Sequence, residues 1–121
     1  MKKNGISFTN SDSGTYYLFN SDKKYYISIF KDAKNYSDIN GALGVYMIGL
    51  FNNQESKCFY VGRSKNMYRR LKNKYHPFYL IKKQYPDITI KYFNTKNYKD
   101  LERHMINLYR PPYNSIMCLE K

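Results

Sequence analysis

Two tyrosines, one arginine and one glutamate are spaced along this chain in an order that could serve hydrolysis of a phosphodiester. The tyrosines belong to two tripeptides, and the full set is Gly44-Val45-Tyr46, Tyr60-Val61-Gly62, Arg70 and Glu102. An arginine can donate two parallel hydrogen bonds to a phosphate, and a carboxylate can hold a divalent ion that polarises it. Each residue also has an ordinary structural role, because strand tyrosines often fill a core and charges often lie on a solvated helix.

The chain is strongly basic. It contains 21 Lys and Arg against 9 Asp and Glu, which gives a formal net charge of +12. The segment from Lys57 to Pro86 holds nine basic residues and no acidic one. A charge of this size favours a polyanionic partner, and nucleic acid is the leading candidate. A generic basic protein and one that meets anionic lipid are the alternatives.

Length and cysteine usage set the class of protein. At 121 residues the chain is long enough for one domain with a modest core. Cys58 and Cys118 are far apart and lack metal-ligand spacing, so we expect reduced thiols. The start, Met1-Lys2-Lys3, leads into polar sequence, and the apolar stretch 43–51 is too short to span a membrane. We therefore expect a soluble cytoplasmic protein with no membrane partner, in the host cell if a phage encodes it.

The pattern of apolar residues predicts an α+β fold with the element order β-β-α-α-β-α. We expect a small, mainly antiparallel three-stranded sheet flanked by helices. The predicted strands are 43–51, 57–61 and 88–92, and the predicted helices are 66–75, one that begins at Pro77, and 98–109. These elements form a main domain of residues 43–121. Residues 1–42 form an N-terminal extension with a predicted β-hairpin over 16–30.

The tripeptides and their spacing to Arg70 and Glu102 resemble the pattern of GIY-YIG nucleases. Arg70 lies eight residues after Gly62, where that family keeps its arginine, and Glu102 lies where it keeps a metal-binding glutamate. The stretch 109–114 resembles the Tyr-x-Pro-x-Tyr-Asn ending of the bacterial excision-repair nuclease and of phage intron endonucleases. The resemblance covers residues 43–115. It implies the family's fold, a DNA endonuclease activity and dependence on Mg²⁺ or Mn²⁺.

Four residues are the predicted catalytic group on this resemblance: Tyr46, Tyr60, Arg70 and Glu102. Glu102 is the predicted metal ligand, and Arg70 is expected to bind the scissile phosphate. Tyr46 is expected to orient or deprotonate the attacking water, with Tyr60 bonded to the water or the phosphate. Because a free tyrosine has a pKa of about 10, we expect a metal or nearby cations to lower the pKa of Tyr46.

Further residues around this group are predicted to bind the substrate: Gly62, Arg63, Ser64, Lys65, Arg69, Lys74, His76 and Asn114. Gly62 would let the backbone approach a phosphate or would take a positive φ, and Ser64 could instead cap the next helix. Lys74, which stands where the family often has a histidine, and His76 could assist proton transfer. Asn114 could fix the Glu102 helix or the water shell of the metal, or be an ordinary turn residue.

The basic run 63–83 has tyrosines interleaved with its charges, which favours a groove where charges meet phosphates and rings stack on bases. The alternative is a solvated helix surface. Small size and an AT-like composition lead us to expect a compact nuclease of a phage or mobile element. A repair or restriction nuclease, a non-catalytic nucleic-acid-binding module and a basic structural protein are the other hypotheses. Since one site cuts one strand, double-strand cleavage would need a homodimer or two sequential nicks.

Overall fold

The computed structural model describes residues 7–10, 14–17, 22–33, 36–39, 43–51 and 56–114. The strands are β1 (Ser7–Asn10), β2 (Gly14–Tyr17), β3 (Lys31–Ala33), β4 (Gly44–Leu50), β5 (Lys57–Ser64) and β6 (Thr89–Asn94). The helices are α1 (Lys23–Ile29), α2 (Met67–Lys72), α3 (Pro77–Gln84) and α4 (Tyr98–Tyr109), with a short 3₁₀ helix over Tyr36–Asp38. In these ranges no helix has both the length and the apolar character needed to cross a membrane.

Four strands form one antiparallel sheet in the order β3-β6-β4-β5. β4 is an inner strand, and its residue Tyr46 lies between Gly62 of β5 and Tyr92 of β6. β4 is buried on both sides, which explains why its sequence is apolar throughout rather than alternating. The predicted α+β class, the antiparallel sheet and its flanking helices are confirmed.

Each face of the sheet packs against its own pair of helices. The α3 face joins α2, α3 and the 3₁₀ helix to a core that contains Tyr46, Ile48, Tyr60, Met67, Leu71, Phe78, Ile81 and Ile90. The α4 face joins α1 and α4 to a core of Tyr26, Phe30, Val45, Met47, Val61, Phe93, Leu101 and Met105. Because successive strand residues point to opposite faces, adjacent residues of β4 enter different cores.

Side chains cap α2 and α3, two of the helices that carry candidate site residues. The Asn66 side chain accepts a hydrogen bond from the Arg69 N–H at 3.0 Å and begins α2. His76 caps α3 in the same way, and Pro77 takes the first helical position. α4 ends at Arg110, which has a left-handed φ of 50°, and prolines follow.

The predicted hairpin over 16–30 is wrong. Residues 23–29 form α1, and β2 pairs instead with β1. The Asp22 side chain caps α1 by accepting from the Lys24 N–H at 3.0 Å. Tyr26 and Phe30, four residues apart, are buried in the α4 face, so packing on one side of a helix outweighed the strand preference of Tyr and Ile.

The sheet has four strands rather than the predicted three. The additional strand, β3, comes from the segment before residue 43 and pairs with β6. The nearly buried Lys91 of β6 forms an ion pair of 2.7 Å with Asp32 of β3. The predicted division into residues 1–42 and 43–121 stays a prediction, although the main sheet recruits a strand from the first part.

Candidate active site

Tyr46 is the buried centre of a cluster of polar side chains on the α3 face. Its side chain has no exposed surface, and its hydroxyl lies 2.6 Å from Nε2 of His76. Burial raises the pKa of Tyr46 above its usual range, with a further rise from Tyr60, while Arg70 opposes the shift. Arg70 thus lowers this pKa as expected of a nearby cation, but burial is the larger effect, and Tyr46 is a neutral phenol at pH 7.

His76 is held in a single tautomer by its two hydrogen bonds. Its Nδ1 accepts from the Phe78 N–H at 2.9 Å, so the proton of the neutral ring must be on Nε2. That Nε2–H then donates to the oxygen of Tyr46. Burial, with a contribution from Arg70, lowers the pKa of His76 to about 3, so the ring is neutral at physiological pH.

Arg70 and Tyr60 complete this cluster. The Tyr60 ring lies 6.3 Å from the Tyr46 ring and 5.5 Å from the His76 ring, between centroids. The Arg70 guanidinium interacts electrostatically with both phenols, although Arg70 as a residue is exposed. The Tyr46 oxygen accepts from His76 and keeps its own proton for a second partner.

Gly62 makes room for the Tyr46 ring. The two residues are cross-strand neighbours, and a Cβ on Gly62 would lie 2.5 Å from the phenol end of Tyr46. The glycine does not adopt a left-handed φ, so that part of the expectation is wrong. Gly44 is similarly confined, because a Cβ there would lie 2.0 Å from the carbonyl oxygen of Phe93. The glycine of the second tripeptide, Gly62, and the tyrosine of the first, Tyr46, therefore pack directly against each other.

Glu102 approaches the cluster from the other face of the sheet. It lies in α4, where only 18% of its side chain is exposed, and its Oε1 accepts from Arg63 at 3.1 Å. Burial raises the pKa of Glu102, whereas Arg63, Arg103 and Arg70 each oppose the rise. Its electrostatic interaction with Arg70 and Tyr46 places the carboxylate at the same end of the sheet as the polar cluster.

The residues around Glu102 fit a magnesium site of one particular kind. Within the described ranges no three His, Cys, Asp or Glu side chains come together, so the protein cannot enclose an ion by itself there. Mg²⁺ commonly keeps several waters and binds through one or two carboxylates plus substrate phosphates. A single, largely buried glutamate in basic surroundings suits that arrangement, with Glu102 as the protein ligand.

The comparisons with known proteins agree with this geometry. The family model of the GIY-YIG catalytic domain matches residues 42–114. The chain belongs to the GIY-YIG family. The predicted membership of this family is therefore confirmed.

Two similar proteins are both called UvrABC system protein C. The protein of Mycoplasma capricolum subsp. capricolum is 36% identical over 78 residues, and that of Mycoplasma mycoides subsp. mycoides is 35% identical over 78 residues. Each alignment covers 60% of this chain and 13% of the relative, so this chain spans a small part of the length of those proteins. No solved structure matches the chain.

The predicted substrate-binding residues of this GIY-YIG domain fall into two groups. Lys65, Arg69 and Lys74 are exposed, and Lys74 lies over the Tyr75 ring at 5.5 Å. Ser64 instead bonds within its own turn, because its hydroxyl both donates to the Asn66 carbonyl and accepts from the Asn66 N–H at 2.9 Å.

Asn114 makes two hydrogen bonds to one residue of β5. Its side-chain oxygen accepts from the Val61 N–H at 2.8 Å, and its amide nitrogen donates to the Val61 carbonyl at 2.9 Å. Val61 lies between Tyr60 and Gly62, so Asn114 positions the strand that carries both. This contact uses one lone pair of the oxygen and one N–H of the amide, which leaves one acceptor site and one N–H for other contacts.

His76 has a more central place than the sequence suggested. Sequence reasoning counted it as a weak candidate for proton relay, whereas the structure buries it with 4% exposure against Tyr46. The signal was available, since a residue directly before a proline that opens a helix is in the N-cap position, where its side chain is fixed.

Proposed function

We propose that this protein is a divalent-metal-dependent endonuclease that hydrolyses phosphodiester bonds of DNA. The observation that carries the proposal is the convergence of Tyr46, Tyr60, Arg70 and His76 in one cluster, with Glu102 at the same end of the sheet. A protein that only bound DNA would need no largely buried carboxylate among so many basic residues. Membership of the GIY-YIG family supports the same activity.

Arg70 binds the phosphate that is cut. It is the exposed member of the cluster, and both phenols interact with its guanidinium. A guanidinium fixed in this way can follow the negative charge as it grows in the transition state without reorganising. Tyr60 contacts the same guanidinium and supports its orientation.

Tyr46 orients the attacking water or the phosphate rather than removing a proton at neutral pH. Its oxygen already accepts a hydrogen bond from His76, and burial holds its pKa high. The hydroxyl proton is the part of Tyr46 that remains to be donated. His76 is a positioning residue, because it fixes the phenol oxygen and thereby the direction of that proton.

Glu102 is the residue that would hold Mg²⁺ or Mn²⁺. A bound ion would supply Lewis-acid polarisation of the phosphate and a more acidic water. Arg63 opposes the rise that burial causes in the pKa of this carboxyl and holds it in an ion pair. The phage or mobile-element origin, the cytoplasmic location and the homodimer stay predictions from the sequence.

Nicking of supercoiled plasmid tests this function. Wild-type protein with Mg²⁺ or Mn²⁺ should convert supercoiled DNA to open circles, and a chelator should stop the reaction. Glu102→Gln should lower the rate by about 10³-fold, whereas Asp100→Asn, an exposed acid of the same helix, should leave it within about twofold. Plasmid that stays supercoiled with wild-type protein and either metal, yet shifts in a gel, would replace the nuclease with a DNA-binding module.

A further inference from the structure

An open cleft of about 540 Å³ lies beside α3, outside the polar cluster of the candidate active site. Six side chains line it: Tyr36, Phe78, Tyr79, Leu80, Lys82 and Lys83. Its volume is within the range of sites that bind small molecules or single nucleotides. None of its lining residues belongs to the group that the family pattern or the proposed chemistry uses.

The cleft combines apolar and aromatic walls with two cations. Phe78 is a buried wall, while Leu80 is 46% exposed. The Tyr79 hydroxyl donates to the Lys72 carbonyl at 3.4 Å, and Tyr36 lies close enough to interact with Tyr79 electrostatically. Burial and Tyr36 raise the pKa of Tyr79, so this wall remains an uncharged aromatic ring.

These features suit a flat, aromatic ligand that carries negative charge. Phenol rings and a leucine offer surfaces on which a nucleobase can stack, and stacking of this kind accepts any base. The ammonium groups of Lys82 and Lys83 suit the phosphates on either side of that base. A base in a duplex is stacked on its neighbours, so the cleft can receive a base only where a strand is unpaired or a nucleotide is turned outward.

The position of the cleft links it to the candidate active site. His76, which contacts Tyr46, is the N-cap of α3, and Phe78 in the first turn of the same helix is a wall of the cleft. The Tyr36 ring also packs 5.7 Å from Tyr68, two residues before Arg70 in α2. The cleft therefore adjoins α3, whose N-cap contacts Tyr46, and lies near α2, the helix that carries Arg70.

We propose that this cleft binds one unstacked nucleobase of the DNA strand that the protein holds at Arg70. The protein would then prefer DNA that offers an unpaired nucleotide, such as a gap, a flap or a frayed end, over continuous duplex. The proposal rests on the proposed function only for the identity of the substrate as DNA. It concerns affinity, and so it can be tested without cleavage.

The test compares two DNAs in binding experiments with Glu102→Gln protein, which should not cut. One DNA is a fluorescently labelled duplex, and the other has the same length with a gap of a few nucleotides in one strand. Fluorescence anisotropy gives the Kd for each. Tyr79→Ala and Leu80→Ser should each weaken binding to gapped DNA by about tenfold, the range expected for one stacked base, and leave the Kd for duplex within about twofold.

Leu80→Ser keeps the test valid if Tyr79→Ala fails to fold, because an exposed leucine adds little to the core. Tyr75→Ala is the matched comparison: Tyr75 is 84% exposed in the same basic segment but lies outside the cleft. If Tyr75→Ala and Leu80→Ser weakened binding to gapped DNA equally, the cleft would contribute no more than any other exposed apolar side chain. That result would overturn the proposal. Equal losses on both DNAs would do the same, as would tighter binding of an acidic peptide than of gapped DNA.

The two proposals fail in different ways. Suppose that wild-type protein never nicks plasmid but binds gapped DNA more tightly than duplex, and that this preference depends on Tyr79 and Leu80. The proposal for the cleft is then supported, and the proposed nuclease activity is overturned. If wild-type protein nicks plasmid but binds gapped and continuous DNA equally, the nuclease stands and the cleft has no role in binding bases. Absence of all DNA binding would overturn both.

Discussion

Adjacent residues of β4 enter two cores of different chemistry. On the α3 face, Tyr46 brings a hydroxyl into contact with His76 and Arg70. On the α4 face, Val45 and Met47 meet only apolar or aromatic neighbours of their cluster. A shift of one residue in the pairing of β4 would exchange the side chains that enter the α3 face with those that enter the α4 face. The register of this strand therefore decides whether the phenol meets its polar partners.

The α4 face contributes to the site in an indirect way. Leu101 and Met105 bury one side of α4 against the sheet, and Glu102, about 100° further round the helix, is left at the sheet end beside Arg63. The α3 face thus supplies reactive groups in place, whereas the α4 face supplies a rigid support for one carboxylate. Variants of the two faces should consequently fail in different assays.

Arg70→Gln should have the largest effect, and it should appear in catalysis alone. Loss of the phosphate-binding guanidinium should lower single-turnover nicking by about 10³-fold, or about 4 kcal/mol of activation free energy. The melting temperature should change little because Arg70 is exposed. Arg69→Gln, its exposed neighbour on a different side of α2, is the control and should cost less than about threefold. Equal losses from the two variants would remove the special role of Arg70.

Met105→Ala should act on stability and not on chemistry. Met105 has no exposed surface in the α4 face, so truncation should lower the free energy of unfolding by about 3 kcal/mol through lost burial and a cavity. Denaturant titration measures the loss, with the exposed Asn107→Ala of the same helix as control. The nicking rate per folded molecule should be unchanged; a fall of tenfold would mean that the α4 face does more than support Glu102.

His76 should make the stability of the α3 face depend on pH. Its folded pKa of about 3 is below the usual value of 6.5, so the unfolded chain binds the proton more readily and stability falls as the pH drops below about 6.5. The loss from this group should be about 2 kcal/mol between pH 6.5 and 5. Urea titrations of wild-type and His76→Asn protein should diverge by that amount, since asparagine can cap the helix without titrating. Parallel curves would contradict the buried, neutral imidazole.

The smallest effect should come from Asp32→Asn at the edge of the α4 face. Lys91 is nearly buried and pairs with Asp32 at 2.7 Å, but Asp32 is 77% exposed. We expect a loss of about 1 kcal/mol in the free energy of unfolding, reduced further by salt. Asp100→Asn breaks a fully exposed pair of 3.9 Å with Arg103 and should cost nearly nothing. Identical results for the two variants would mean that β3 is held by its backbone pairing alone.

The sequence predicted the central elements well because their local patterns agree with their packing. The helix 98–109 has apolar residues at helical spacing and ends at two prolines, and the structure has α4 over the same residues. Pro77 likewise marked the start of α3. In both places the capping residues, the periodicity and the buried side give the same answer.

The predictions failed where local preference and tertiary packing disagree. Residues 25–30 are rich in Tyr and Ile, which favour strands, yet they form α1 because Tyr26 and Phe30 bury together against Phe93. The pKa of Tyr46 was misjudged for a related reason. Sequence shows the neighbouring charges but not the depth of burial, and here burial is the larger effect.

The contact between Asn114 and Val61 has a consequence for self-association. In the described sheet β5 is a terminal strand, and the Val61 N–H and C=O that point away from β4 would otherwise be available to an extended peptide. A primary amide carries the same donor and acceptor as a peptide group, so one side chain occupies the place of a residue in a fifth strand. Two copies of the protein could not extend the sheet through β5 at this point without first displacing Asn114.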